Sequence, residues 1–406
     1  MKKLAAVVST ALVVAMAAPM VAAGPSLSGS LESKITWAQG QDPKSGANLD
    51  LTLGFQAGDR TKAVLGLAPS FDDADAWLAG IERIDVTKAY VETQGPWFTG
   101  APEVTTRLGD LDIDYSKYVG TIHSTEGQTR GISVNGLRIG GLDIAGFHAW
   151  DSNAGASEYR LLNRQASGAR IATQVAGINL AATGVVEGQD AAVAVEGSTR
   201  VLPNVTVGGA VARDMANKAN LYRVNATVQP VSNLTVNAEY GRVPSNFAPL
   251  YAYENADDSF VTQTRGKAVI GMNAQTQQAG FNLGAGIKLA RAEGAQQFSR
   301  TQTTLTAGRS VSLMGMPVEA NYTMTIDGSN QIKHELAGKT TLSVIPALQG
   351  VSLDGKVTMQ NSDLTYEANA GYNAPNGMTF GLHYASQATA TLPAGLSADA
   401  GLKVQF

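Results

Sequence analysis

The sequence predicts an all-β fold: one transmembrane, antiparallel, up-and-down β-barrel of about 22 strands (range about 16–22) whose apolar face is turned to lipid. Three observations predict it. Apolar and polar residues alternate in runs of about 10 residues, the length that crosses a hydrocarbon layer at a tilt. Beyond the first 23 residues no stretch approaches a continuous apolar helical span. Tight turns and longer polar connections punctuate the runs in alternation.

Taken in order, Met1–Ala23 reads as a secretory signal. Lys2 and Lys3 precede the apolar run Leu4–Ala18, and the small residues Val21 and Ala23 stand before an expected cut at Gly24. The remainder, 24–406, reads as one barrel domain. Leu27, Gly29, Leu31, Ile35 and Trp37 alternate with Ser28, Ser30, Glu32, Lys34 and Thr36, and Leu49 to Phe55 repeats the pattern. Tyr222, Val224, Ala226 and Val228 interleave with Arg223, Asn225 and Thr227; a Pro230–Asn233 turn follows, then Leu234 to Tyr240 resumes. Phe281–Leu289, Met316–Ile326, Val351–Met359, Leu364–Tyr372 and Met378–Tyr384 do the same. A helical period is confined to Asp72–Arg83. With no helices to form a second layer, the apolar face needs lipid to cover it, and closure satisfies the backbone groups at the sheet edges.

Tight turns are expected at Gly140-Gly141, Ala176-Gly177, Pro203-Asn204, Pro230–Asn233 and Pro375–Gly377. Long connections are expected at Pro69–Arg83, Asp114–Thr129, Asp151–Ser167 and Val243–Arg265. Tyr240, Tyr322, Tyr366, Tyr372 and Tyr384 lie on apolar faces, several near strand ends, which suits interfacial girdles.

The carboxy-terminal run Leu396–Phe406 carries a further pattern. Asp399, Gly401, Val404 and Phe406 fit a polar-x-Gly-x-x-apolar-x-aromatic ending. In this the chain resembles bacterial outer-membrane β-barrel proteins of the porin class, and no closer relative is named. The resemblance implies an outer-membrane location, surrounding lipid as a partner, and assembly by the barrel-insertion machinery. It also places Phe406 at the periplasmic rim, so that the long connections fall on the opposite side.

Composition excludes much else. Cysteine is absent, which removes disulfides and thiolate metal sites, and a net charge of −4 without a basic tract argues against nucleic acid. The four histidines (His123, His148, His334, His383) are scattered, and neither G-x-S-x-G nor a phosphate loop occurs. No enzyme activity and no cofactor are expected.

The charges fall on polar strand faces, since a cation turned to mid-bilayer lipid costs up to ~2–4 kcal/mol. The pore-lining candidates are Arg107, Asp110, Asp112, Asp114, Arg223, Glu239, Lys267, Lys288, Glu319 and Glu335; Arg300 shares the same expectation. Gly109–Tyr115 (GDLDIDY) has the acidic spacing of a calcium loop but Tyr115 where glycine is needed. Its intervening Leu111, Ile113 and Tyr115 indicate a strand with all three carboxylates on one face. Lumenal carboxylates that bias ion passage, solvated charges and a divalent-ion site are the readings open here. The connection Val243–Arg265 carries Phe247, Tyr251, Tyr253, Asp257 and Asp258. It either folds into the lumen as a constriction, docks on a neighbour or stands outward. The expected function is passive diffusion of ions and small hydrophilic solutes with a mild cation preference. The alternative is a non-conducting structural or adhesive surface protein, either a plugged barrel or a secreted β-solenoid. Homo-oligomerisation is left open.

Overall fold

The computed structural model describes residues 26–40, 44–70, 83–122, 129–151, 165–249, 260–313, 315–342, 349–375, 377–388 and 393–405. The expected signal Met1–Ala23, the helical period in 72–82, and Tyr251, Tyr253, Asp257, Asp258 and Phe406 lie outside the described residues.

Strands dominate. The first half contains β1 (Ser26–Ala38), β2 (Lys44–Ala57), β3 (Thr61–Ser70), β4 (Arg83–Gly95), β5 (Val104–Asp110), β6 (Ile113–Ser116), β7 (Gly120–Ile122), β8 (Arg130–Ile139), β9 (Leu142–Asp151), β10 (Ala166–Val175), β11 (Ile178–Glu187) and β12 (Asp190–Leu202). The second half contains β13 (Val205–Asp214), β14 (Ala219–Val231), β15 (Leu234–Val243), β16 (Lys267–Gln278), β17 (Phe281–Ala292), β18 (Ser299–Leu313), β19 (Met316–Asp327), β20 (Ile332–Thr341), β21 (Val351–Gln360), β22 (Asp363–Asn373), β23 (Met378–Ala385) and β24 (Gly395–Gln405). One short helix, α1 (Phe260–Thr264), precedes β16.

All but β6 and β7 form one 22-stranded antiparallel sheet. Each strand pairs with its chain neighbour, β5 passing directly to β8. β24 then returns to β1, from Ser30↔Gln405 to Ala38↔Ser397. The sheet therefore closes on itself, and none of its described strands is left with an unpaired edge.

Closure makes the period-two pattern into an inside and an outside. On β14, Tyr222, Val224, Ala226 and Val228 point outward, while Leu221, Arg223, Asn225 and Thr227 point inward. The exposed large apolar side chains, among them Leu180, Val195, Leu283, Leu305, Leu336, Val357 and Leu382, share the outer face. A belt this extensive on a soluble surface would be an association liability, and lipid resolves it. Val224 is 51% exposed at the middle of its strand. Val224→Arg is expected to destabilise the lipid-embedded barrel by up to ~2–4 kcal/mol, whereas Asn225→Arg on the inner face is tolerated. Urea titration of both variants in vesicles checks this, and equal losses would reverse the assignment of faces.

All the named tight turns fall on one rim. Two-residue turns there place Ala176 and Ala279 at φ 50°, each followed by a glycine at positive φ, as the twist of hairpin strands requires. The four long connections leave from the other rim. The division is not strict, because Gly188-Gln189 and Asn361-Ser362 are tight turns on the loop rim, and Thr341 and Val351, which bound the β20–β21 connection, stand at the turn rim. Arg300 departs from expectation. A β-bulge between Lys288 and Leu289 sets Arg300 opposite Leu289, on the outer face, where it reaches the Asp327 carbonyl and Asn330 at the loop rim.

Candidate conduction path

The lumen is narrowed by two segments that leave the loop rim and fold inward. The first begins where β5 ends. Gly109 has φ +115°, and a β-carbon there would strike the backbone of Ala89 and Tyr90, so the chain can swing out of the ladder only with glycine at this position. Asp110 follows and is fully buried in the wall. Its carboxylate accepts the Ala89 N–H of β4 and the Arg130 Nε–H of β8, the latter at 3.0 Å. Asp110 thus pins β4 to β8 at the exit point.

From there β6 and β7 form a hairpin against the inner wall. Leu111, Ile113, Tyr115 and Ile122 pack on Ala145, Phe147, Ala149, Ala166 and Val185. The Tyr115 hydroxyl donates to Asn135 at 2.9 Å, and its ring meets Phe147 at 5.9 Å between centroids. Burial pushes the phenols of Tyr115 and Tyr118 above their usual range. With alternate residues committed to the wall, Asp112 and Asp114 are exposed on the side facing the open lumen. The expectation of three carboxylates on one face is therefore corrected: Asp110 belongs to the wall, and of the three only Asp112 and Asp114 face the open lumen. They stand on an in-folded hairpin, not on a barrel strand.

The second segment is the β15–β16 connection, whose described ends lie on the same wall. Phe247 and Val261 are buried with Tyr118 and Val119 of the hairpin tip, over the inward-facing Ala192, Ala194, Ala210, Ala212 and Leu221. Phe247 is thus an anchor beneath the constriction and does not line the open path. Ser245 donates its N–H and hydroxyl to Glu293 at 3.0 and 2.7 Å, which hold that carboxyl below the usual carboxylate range.

Arg223 joins the two segments. Its Nε–H and one terminal N–H donate to Glu239 on β15; the other terminal nitrogen donates to the Tyr118 hydroxyl at 3.2 Å. The guanidinium lies 4.5 Å from the centroid of the Phe260 ring. Phe260 in turn covers Gly241, whose missing side chain leaves the room. Tyr118 is met seven strands round the ring from β5, so the hairpin runs as a chord across the inner wall.

The remaining candidates are distributed around the lumen. Arg107 points inward, pairs with Glu92 at 2.9 Å and lies over Tyr90, while Lys62 binds the other Glu92 oxygen at 2.7 Å. By register Lys267, Lys288, Glu319 and Glu335 also face inward, Glu335 paired with Lys333 at 3.0 Å. The structure does not bring these together into one cluster. Tyr118 is not singled out from the sequence, because its partner Arg223 is remote in the chain, whereas Phe260 belongs to the aromatic Val243–Arg265 connection named there as a constriction candidate. A further unanticipated group is the row Asp354–Asn369–His383–Asp399, linked by contacts of 2.7, 2.9 and 2.7 Å. Asp399 of the terminal pattern therefore faces inward. On the turn-rim side of the hairpin the inner wall holds an 830 Å³ hollow lined by Tyr118, Arg138, Asp143, Arg170, Glu196 and Arg223, among others.

Neither a protein-family model nor a curated protein sequence matches the chain. Solved structures do. A chain of the E. coli P pilus tip assembly intermediate PapC-PapD-PapK-PapG aligns with a TM-score of 0.53 at 9% identity over 94% of this chain. The ferric enterobactin receptor PfeA of Pseudomonas aeruginosa, in complex with BCV-L6, aligns at 0.51 and 8% identity over 95%. In fold, the chain is a large β-barrel similar in architecture to these proteins. This barrel spans 60% of the P pilus chain and 82% of the receptor chain. At such low identity the likeness concerns architecture alone.

Proposed function

We propose that this barrel is an outer-membrane channel through which ions and small hydrophilic solutes diffuse passively, with a mild preference for cations. The observation that carries this reading is the in-folded hairpin. Among the described residues it packs along one wall of a polar lumen and turns Asp112 and Asp114 toward the open side. Fixed carboxylates at a constriction raise the local concentration of cations and lower that of anions. The reading requires no catalytic group or cofactor. It takes export from the signal pattern of Met1–Ala23 and insertion by the barrel-insertion machinery from the resemblance carried by Leu396–Phe406.

Purified protein in a planar lipid bilayer tests it. Discrete conductance steps are expected, and their absence at every protein dose would favour the plugged, structural alternative. Under a potassium chloride gradient, Asp112→Asn with Asp114→Asn is expected to move the reversal potential toward zero while step size changes little. An unmoved potential would remove these two carboxylates from the selective path.

A further inference from the structure

A second hollow in the inner wall, of 440 Å³, lies on the turn-rim side of Phe260 and opens to the lumen. Its volume is within the range of about 300–1,000 Å³ typical of small-ligand sites. The uncharged polar side chains that line it from the inner face are Asn225, Thr227, Asn237, Asn273, Gln302 and Thr304. Its floor is cut away at Gly271, where a β-carbon would meet nothing within 4 Å.

The polar groups are oriented in sequence. The Thr227 hydroxyl donates to the Asn237 carbonyl at 2.7 Å, and the Asn237 amide donates to the Asn273 carbonyl at 2.9 Å. With its oxygen so engaged, Asn273 presents its amide N–H groups as donors toward the hollow. Charge contributes little to the lining. Glu239 is already paired with Arg223, and Lys288 is the one other charged side chain. A wall of amides and hydroxyls, three of them held in one hydrogen-bonded row, matches a ligand whose own surface alternates hydroxyl donors and acceptors and carries no net charge.

We infer that this hollow is a binding subsite for a neutral polyhydroxylated solute, a sugar of one or two rings, encountered on the turn-rim side of the constriction. As a statement about passage it rests on the channel reading, but binding itself does not require conduction. Two measurements on the full chain keep them apart: calorimetric titration of the detergent-solubilised barrel with glucose and maltose, and block of single-channel potassium current by the same sugars.

Saturable binding and block are expected from at least one sugar, weakened by about tenfold when Asn237 and Asn273 are both changed to Leu. Gly271→Leu, which fills the hollow without removing any hydrogen-bonding group, is expected to weaken both equally while leaving sugar-free conductance steps in place. A barrel that conducts but neither binds nor is blocked would overturn the subsite and leave the channel standing. A barrel that binds sugar without conducting would retain the subsite and overturn the channel. Potassium gluconate binding more tightly than glucose would overturn the neutral class and make Lys288 the dominant contact.

Discussion

Replacing Asp112–Thr121 with two glycines is expected to raise single-channel conductance severalfold and to abolish most cation preference in the same step. The wall beneath does not depend on the hairpin for its backbone bonds, because β5 pairs directly with β8 from Thr105↔Asn135 to Asp110↔Arg130. Asp110 stays in place to hold β4 and β8 together. What is lost is the packing of Ile113, Tyr115, Tyr118 and Val119, worth roughly 1.5–3 kcal/mol for each fully buried large side chain. That loss newly exposes Ala145 and Phe147 to the water of the lumen without opening the ring. Preference and conductance should move together here, in contrast with the Asn double substitution, which moves preference alone. Conductance measured in planar bilayers decides it: a deletion variant with wild-type step size would show that the current never passes beside the hairpin.

The ring itself was legible because its signal is repeated and local. Runs such as Phe281–Leu289 alternate without interruption, and slipping the register by one residue would turn each side chain to the wrong face. What escaped was decided by single irregular positions or by remote contacts. Arg300 alternates correctly in sequence, yet one bulged residue opposite β17 carries it to the outer face. Leu111, Ile113 and Tyr115 alternate like any wall strand; the turn at Gly109 diverts them inward, and the four residues of β6 are too few to cross a bilayer. Asp110 departs from expectation for the same reason, since its parity assigns it a face while its carboxylate lies in the seam between strands. The aromatic β15–β16 connection was recognisable as a constriction candidate, but nothing local to it names Tyr118 as its neighbour.

Arg223→Met is expected to leave the barrel assembled but to broaden its conductance levels and raise their mean. The two in-folded segments meet through Phe247, Val261, Tyr118 and Val119, and apolar contacts of this kind are non-directional and tolerate small slides. Arg223 adds direction: a fork onto Glu239, a hydrogen bond to Tyr118 and a flat face against Phe260. Methionine keeps a long apolar stem for Phe260 but releases Tyr118 and leaves Glu239 unpaired. With both partners of the ion pair about a third exposed, the stability loss should be discounted to about 1 kcal/mol, too little to unfold the ring. Arg223→Lys restores the charge but should recover the narrow wild-type levels only in part, because one ammonium cannot fork, reach the phenol and stack at once. The width of the open-level histogram is therefore the discriminating readout. Wild-type width in the methionine variant would mean that apolar packing alone fixes the constriction. Full recovery by lysine would mean that Arg223 acts through its charge and not through its shape.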